Sequence, residues 1–141
     1  MANIVQLTEA SERIADQIDA LIKQLDQKKS CALPMLKAMV ESPSTELWIA
    51  QEGDRIVGMA TLTLSKRIQG ELARLEDVVV DERQRGKGLG KLLCQKIIER
   101  AKERGADSIH LTSRPEREAA NKLYQKLGFE RKETNVYRLK L

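Results

Sequence analysis

The densest chemical signal in this sequence is the run Val78-Val79-Val80-Asp81-Glu82-Arg83-Gln84-Arg85-Gly86-Lys87-Gly88-Leu89-Gly90-Lys91. An apolar strand pattern runs into three glycines, and the glycines run into the start of a helical pattern. A helix N-terminus offers unpaired N–H groups and a partial positive charge. Glycines remove the Cβ atoms that hold a phosphate at a distance. Arg85, Lys87 and Lys91 add full positive charges beside them. Together these residues describe a pyrophosphate cradle. Two common phosphate loops do not fit. The Walker A spacing needs Ser or Thr after Gly-Lys, but Leu92 follows Gly90-Lys91, and the first glycine is mis-spaced. The dinucleotide pattern G-x-G-x-x-G fails because Gly86, Gly88 and Gly90 are too closely spaced, and the loop lies mid-chain.

Other reactive side chains are few. Glu76 and Asp77 are paired carboxylates on the strand before the glycines. On a regular strand they point to opposite faces, so one of them can face a cleft there. His110, the single histidine, sits on an apolar strand and reads as a hydrogen-bonded core residue. Cys94 falls on the apolar side of a helix and reads as buried and inert. Cys31 has no charged activating neighbour in sequence, so covalent cysteine catalysis is disfavoured. Trp48 reads as packing.

The elements that must position these residues follow from periodicity. A first strand is expected over 3–7. A helix follows over about 9–28, capped by Thr8 or Ser11, with Ile14, Ile18, Leu21, Ile22 and Leu25 at helical spacing. A second helix opens at Ser30 or Cys31, takes Pro34 in its first turn and stops before Pro43. Strands are expected over 46–51, 56–66 and 71–80, the first two joined by a turn at Gly53. The glycine loop then starts a helix over about 88–104, which Gly105 ends. A strand over 108–112, a helix over about 116–127 ending at Gly128, and two closing strands near 129–133 and 136–140 complete the chain. This order implies a mixed α/β sheet with helices on both faces.

Composition sets the class. The 141 residues carry 25 Lys plus Arg against 21 Asp plus Glu, a net charge of +4. Hydrophobic residues make up 41% and charged residues 33%, which fits one globular domain over 1–141 without a disulfide or metal staple. A mild charge excess and 3% aromatic residues argue against nucleic-acid binding. No apolar run reaches the roughly 18 residues of a membrane span, and the first residues lack a secretory pattern, so a cytoplasmic protein without a membrane partner is expected. Two cysteines and one histidine form no metal-ligand spacing, and no metal is expected.

Two segments resemble a known family. Arg85-Gly86-Lys87-Gly88-Leu89-Gly90 matches Arg/Gln-x-x-Gly-x-Gly/Ala, the acyl-CoA-binding signature of the GNAT superfamily of N-acetyltransferases. Further on, Ala120-Asn121-Lys122-Leu123-Tyr124-Gln125-Lys126-Leu127-Gly128-Phe129 resembles that family's Ala-x-x-Leu/Phe-Tyr-x-x-x-Gly-Phe segment. The resemblance covers essentially the whole chain. It implies a GNAT-type α/β fold of one domain, with a mixed sheet splayed between strands 4 and 5 and CoA in the cleft.

The resemblance also assigns roles. Backbone N–H groups from Arg85 through Gly86, Lys87, Gly88, Leu89, Gly90 and Lys91 would hold the CoA pyrophosphate. Main-chain groups of Val78 and Val80 would pair with the pantetheine arm, and the Val78 N–H would polarise the thioester carbonyl. Tyr124 would reprotonate the departing thiolate. A phenol (pKa about 10) gives its proton to a thiolate (about 8.5) downhill only when the site tunes both. Glu76, or a water it orders, would take the proton of the attacking amine, and a similar Glu-Asp pair occurs in family members acting on glucosamine 6-phosphate. One departure stands out. Many members carry Asn seven residues before the tyrosine, where this chain has Arg117. Asn121, one turn before Tyr124, can take over part of that contact, and Arg114 or Arg117 can meet a CoA phosphate.

The implied activity is direct transfer of acetyl from acetyl-CoA to a primary amine in a ternary complex. The alternative is a non-catalytic CoA-binding regulatory module of the same fold. The acceptor is a small-molecule or protein amine, for which Glu41, Glu46, Glu71 and Glu76 are candidate attractors, and a homodimer remains open.

Overall fold

A computed structural model describes residues 1–141. The chain divides into two compact units, Met1–Leu111 and Thr112–Leu141, taken here in turn. The first unit holds β1 (Asn3–Leu7), α1 (Glu12–Leu25), α2 (Leu33–Glu41), β2 (Thr45–Glu52), β3 (Arg55–Arg67), β4 (Gly70–Val80), α3 (Leu89–Glu103) and β5 (Ser108–His110). A short 3-10 turn over Glu82–Gln84, not anticipated from the sequence, links β4 to the glycine loop. Of the two candidate caps, Ser11 serves α1: its hydroxyl accepts the N–H of Ile14 at 3.2 Å. Ala32 precedes α2, with Pro34 in the first turn.

The five strands lie in the order β1-β2-β3-β4-β5. The first four pair antiparallel, and β4 pairs parallel with β5. Residues of β2 alternate between two buried faces. Leu47 and Ile49 join Ile18, Leu21 and Leu36 in a core beneath α1 and α2. Glu46 and Trp48 point the other way and meet α3. The expectation of helices on both faces is met by that division.

α3 is fastened by a buried ion cluster. The Glu46 carboxylate is 3% exposed and accepts from Arg100 Nε at 2.8 Å, Arg100 NH2 at 2.9 Å, Arg104 NH1 at 2.6 Å and the Trp48 indole at 2.9 Å. Lys96 also stands 5.3 Å from the centre of the Trp48 ring. Glu46, taken from sequence as a candidate attractor for a cationic substrate, is therefore spent on structure: its oxygens are already taken by two arginines.

The second unit holds α4 (Glu118–Lys126). The two closing strands expected near 129–133 and 136–140 do not form. These residues pair in no ladder, and 130–141 stay exposed. An extended segment becomes a strand only when a neighbour takes its backbone groups, so its own residue pattern does not decide the outcome.

The ion cluster makes a testable statement about acid stability. The Arg100 hydrogen bonds, against the opposing effect of burial and with help from Trp48 and Arg104, hold the Glu46 carboxyl down to about 2 from its ordinary 4.5. A lowered folded-state value means the stabilisation is complete above the unfolded value and is lost as pH falls through the folded one. Glu46→Gln should cost about 3 kcal/mol in urea unfolding at pH 7. The gap to the parent protein should narrow steadily from pH 4.5 toward pH 2.

Candidate functional site

β4 and β5 diverge soon after they meet. Their pairing consists of Leu72 with Ser108, Ala73 with Ile109 and Arg74 with His110. β4 continues to Val80, and from Leu75 onward no strand lies on its β5 side. Which backbone groups face that open edge follows from the ladder. Asp81 N–H donates to the Val57 carbonyl at 2.8 Å, so Asp81 and Val57 form a hydrogen-bonded pair. Antiparallel pairs alternate, so Val79 bonds to Met59 across the ladder while Val80 turns its N–H and C=O outward. The same alternation turns Val78 outward. The two residues expected to pair with the pantetheine arm thus present their main chain to the gap. The Val80 carbonyl accepts from Arg85 Nε at 3.1 Å, which folds the start of the glycine loop back over the strand end.

A bulge interrupts β4 just before this edge. Met59 pairs with Val79, but Thr61 pairs with Glu76, so β4 carries one residue more than β3 over the interval. Asp77 absorbs it with φ of 51°, the one non-glycine residue in the left-handed region. The bulge overturns the expectation that Glu76 and Asp77 take opposite faces. Glu76 lies across from Thr61, and Asp77 reaches the α1–α2 loop, where its Oδ1 accepts from Lys29 Nζ at 3.3 Å. Both carboxylates emerge on the α1 side. Glu76 accepts from Arg74 Nε at 2.8 Å and is partly exposed.

The glycine loop is open to an anion. The Asp81 carboxylate accepts the Arg83 N–H at 3.1 Å, and Gln24 accepts the Glu82 N–H at 3.0 Å, so the 3-10 turn is satisfied internally. Beyond it, the N–H groups of Arg85, Gly86, Lys87, Gly88, Leu89, Gly90 and Lys91 find no acceptor within the protein. The first helical bond is that of Leu92 to the Gly88 carbonyl at 3.1 Å. Gly86 and Gly88 hold φ of 82° and 80°, which lets successive N–H groups turn to one side, and no atom stands within 4 Å of where a Cβ would be. This row of free donors at the start of α3 fits a pyrophosphate. Lys87 Nζ donates to Gln84 Oε1 at 2.9 Å and remains exposed.

In the second unit, the segment around Tyr124 has its own local reason. Gly128 follows the helix with φ of 99°, its N–H donates to the Gln125 carbonyl at 3.1 Å, and the Phe129 N–H donates to the Tyr124 carbonyl at 3.0 Å. This is a Schellman cap, with the apolar contact that accompanies it. The Phe129 and Tyr124 rings meet edge to face at 5.9 Å. The Leu-Tyr-x-x-x-Gly-Phe spacing thus fixes the ring of Tyr124, which is 6% exposed. Asn121 donates its amide to the Arg114 carbonyl at 3.0 Å, and Arg117 precedes the first turn of α4. In this structure Asn121 braces the entry to its own helix.

The remaining reactive groups keep to structure. Burial pushes the Cys94 thiol up to about 11. Burial, then the charge of Asp19, raises that of Cys31. His110 Nε2 lies 3.4 Å from the Ser108 hydroxyl. No group of three or more His, Cys, Asp or Glu side chains gathers as metal ligands, and no helix is long and apolar enough to cross a membrane.

Comparison with known proteins decides the family. The sequence profile of the acetyltransferase (GNAT) family matches residues 7–129. The chain belongs to the GNAT family. An uncharacterised N-acetyltransferase of Methanocaldococcus jannaschii is 30% identical over 110 residues, covering 76% of this chain and 49% of that protein. The glucosamine 6-phosphate N-acetyltransferase of Trypanosoma brucei brucei is 35% identical over 88 residues, 60% of this chain and 58% of the other. The chain thus spans about half the length of these curated relatives. Among solved structures, a transcriptional regulator from Bacillus halodurans superposes with a TM-score of 0.86 at 28% identity, covering 99% of each chain. A Trypanosoma brucei acetyltransferase superposes with 0.82 at 26% identity, covering all of both. The fold is GNAT-type, a mixed α/β sheet splayed between β4 and β5.

The free donors of the glycine loop imply a measurable affinity. CoA at about 100 times its dissociation constant should add about 2.7 kcal/mol and raise the melting temperature by roughly 5–10 °C. Gly88→Asp meets no neighbouring atom, but its φ of 80° makes any side chain cost about 1 kcal/mol, so the fold should persist with a slightly lower melting temperature, and the CoA-induced shift should vanish because a carboxylate now stands among the phosphate donors. Differential scanning fluorimetry reads both.

Proposed function

We propose that the chain is a single N-acetyltransferase domain that moves acetyl from acetyl-CoA directly to a primary amine within a ternary complex. The observation that carries this reading is the continuity of unpaired donors from Arg85 to Lys91 with the open edge of β4 at Val78 and Val80. One end suits a pyrophosphate and the other suits an extended amide-bearing arm, which pairs with a free strand edge as a further strand does. The family profile spans both units, which supports treating them as one domain. We place the protein in the cytoplasm, with a small-molecule or protein amine as acceptor and no role for nucleic acid, metal or membrane. A homodimer is left open.

Acetyl-CoA supplies an activated acetyl group. The chain's own residues would then work as follows. The Val78 N–H, turned to the gap, donates to the thioester oxygen as negative charge grows there. Glu76, directly or through a water, takes the proton that the amine gives up. As the C–N bond forms and the C–S bond breaks, the electron pair leaves with sulfur, and Tyr124 gives that sulfur a proton. Glu76 is suited to its part because it is reachable by solvent while held by Arg74.

The likeness to a protein named as a transcriptional regulator favours a second reading, a CoA-binding regulatory module without turnover. Steady-state CoA release with a panel of amines, and mass spectrometry of the products, separates the two. Acetylated product supports the enzyme; tight CoA binding with no product from any amine supports the module.

Tyr124→Phe tests the proton donor. The ring still packs against Phe129 and the Schellman cap uses only backbone, so fold and most CoA affinity should persist. Turnover should fall by about 10²–10⁴-fold, in kcat more than in the acetyl-CoA KM. Parent-level turnover would leave Tyr124 as a packing residue and hand thiolate protonation to water or to the ammonium product.

A further inference from the structure

A cavity of about 310 Å³ opens between α1, α2 and the strands beneath them, at the small end of ligand pockets. Its walls include Ile18 and Ile22 of α1, Met35 and Met39 of α2, Met59 of β3 and Asp77 of β4. Three of the chain's four methionines are here. Unbranched thioether side chains adapt to varied apolar shapes, which suits a wall that must fit a ligand. Apart from Asp77, only Lys29 and Ser30 bring polar side chains to the lining.

The position of Asp77 ties this cavity to the chemistry. It is the bulge residue, directly before Val78, whose N–H turns to the open edge of β4. The residue that would hold the amine and the residue that would polarise the thioester are thus consecutive in the chain. Its Oδ1 has a single contact, the exposed Lys29 ammonium at 3.3 Å, and its Oδ2 makes no hydrogen bond within the protein. An ion pair so solvated contributes little and is readily shared with an incoming cation.

From this arrangement, and resting on the acetyltransferase reading above, we infer that the acceptor is a compact primary amine with an apolar carbon skeleton, seated in the methionine-lined cavity with its ammonium group at Asp77. Amino sugars and polyamines fit the cavity poorly. Each hydroxyl or second ammonium pushed against methionine and isoleucine without a partner costs about tenfold or more in affinity. An aryl-alkyl or branched alkyl group gains by the same burial, about tenfold or more for the whole group.

The test has a binding readout and a kinetic one. Cys31 lines the cavity, whereas Cys94 is fully buried and serves as the internal control. With desulfo-CoA present, phenethylamine or isoamylamine should slow modification of Cys31 by methyl methanethiosulfonate at least fivefold, and glucosamine 6-phosphate should not. With acetyl-CoA, kcat/KM for the two apolar amines should exceed that for ethanolamine, spermidine and glucosamine 6-phosphate by tenfold or more. Met35 is 63% exposed, so Met35→Gln should fold normally. It should raise the phenethylamine KM about fivefold with kcat held, while Met35→Leu restores it. Asp77→Asn keeps a residue that tolerates the left-handed backbone and should raise KM for every amine.

No protection of Cys31, or turnover of the polar amines as good as that of the apolar ones, overturns the inference and leaves the acetyltransferase reading standing. Protection with no acetylated product from any amine upholds the cavity as an amine site and removes the acetyltransferase reading instead.

Discussion

A strand inside a sheet ordinarily has both edges paired, and β4 does not. From Leu75 to Val80 its β5 side faces no other strand, so the main-chain groups turned that way pair with no ladder, and the Val80 carbonyl is met only by the Arg85 side chain. Buried backbone groups cost too much to leave unpaired, so such an edge is tolerated where water or a ligand reaches it. The other features of the site follow from this divergence. The bulge at Asp77 bends the strand and sends an extra carboxylate toward α1. The glycine loop begins where the strand ends, and Arg85 ties the two by its bond to the Val80 carbonyl.

The divergence would have little use if α3 could shift. Its C-terminal half is held to β2 by Arg100 and Arg104, which share the Glu46 carboxylate, and by Lys96 and Arg100 over the Trp48 ring. That grip lies well away from the glycine loop. It holds the helix axis across the sheet and so fixes where the helix N-terminus and its free N–H groups point. Burying one carboxylate against two guanidinium groups gives direction as well as attraction, since each bond is satisfied in one geometry.

The segment around Tyr124 follows a different logic. Its glycine and phenylalanine complete a helix cap, and the phenylalanine ring packs on the tyrosine that the cap's own hydrogen bond reaches. Positioning here is local, achieved by residues within six positions of each other. That is why the spacing was recognisable from sequence.

Much of the molecule was legible in the order of its residues because the signals were local. Apolar spacing marked every helix and the five strands that formed, Ser11 and Pro34 marked helix starts, and the glycines between Arg85 and Lys91 marked an anion loop. Such features depend on neighbours a few positions away, and the sequence alone determined them along with the family resemblance. What required partners far along the chain was decided by the tertiary structure. The segments at 129–133 and 136–140 had strand-like composition but found no ladder. Glu46 looked like a surface carboxylate until Arg100 and Arg104 closed on it. Strand alternation put Glu76 and Asp77 on opposite faces, whereas pairing with β3 inserted a bulge and sent both to one side. The methionine-lined cavity joins residues from Ile18 to Asp77, and no periodicity within one element records it. Periodicity reports which face of an element is apolar; only packing of one element on another decides what that face encloses.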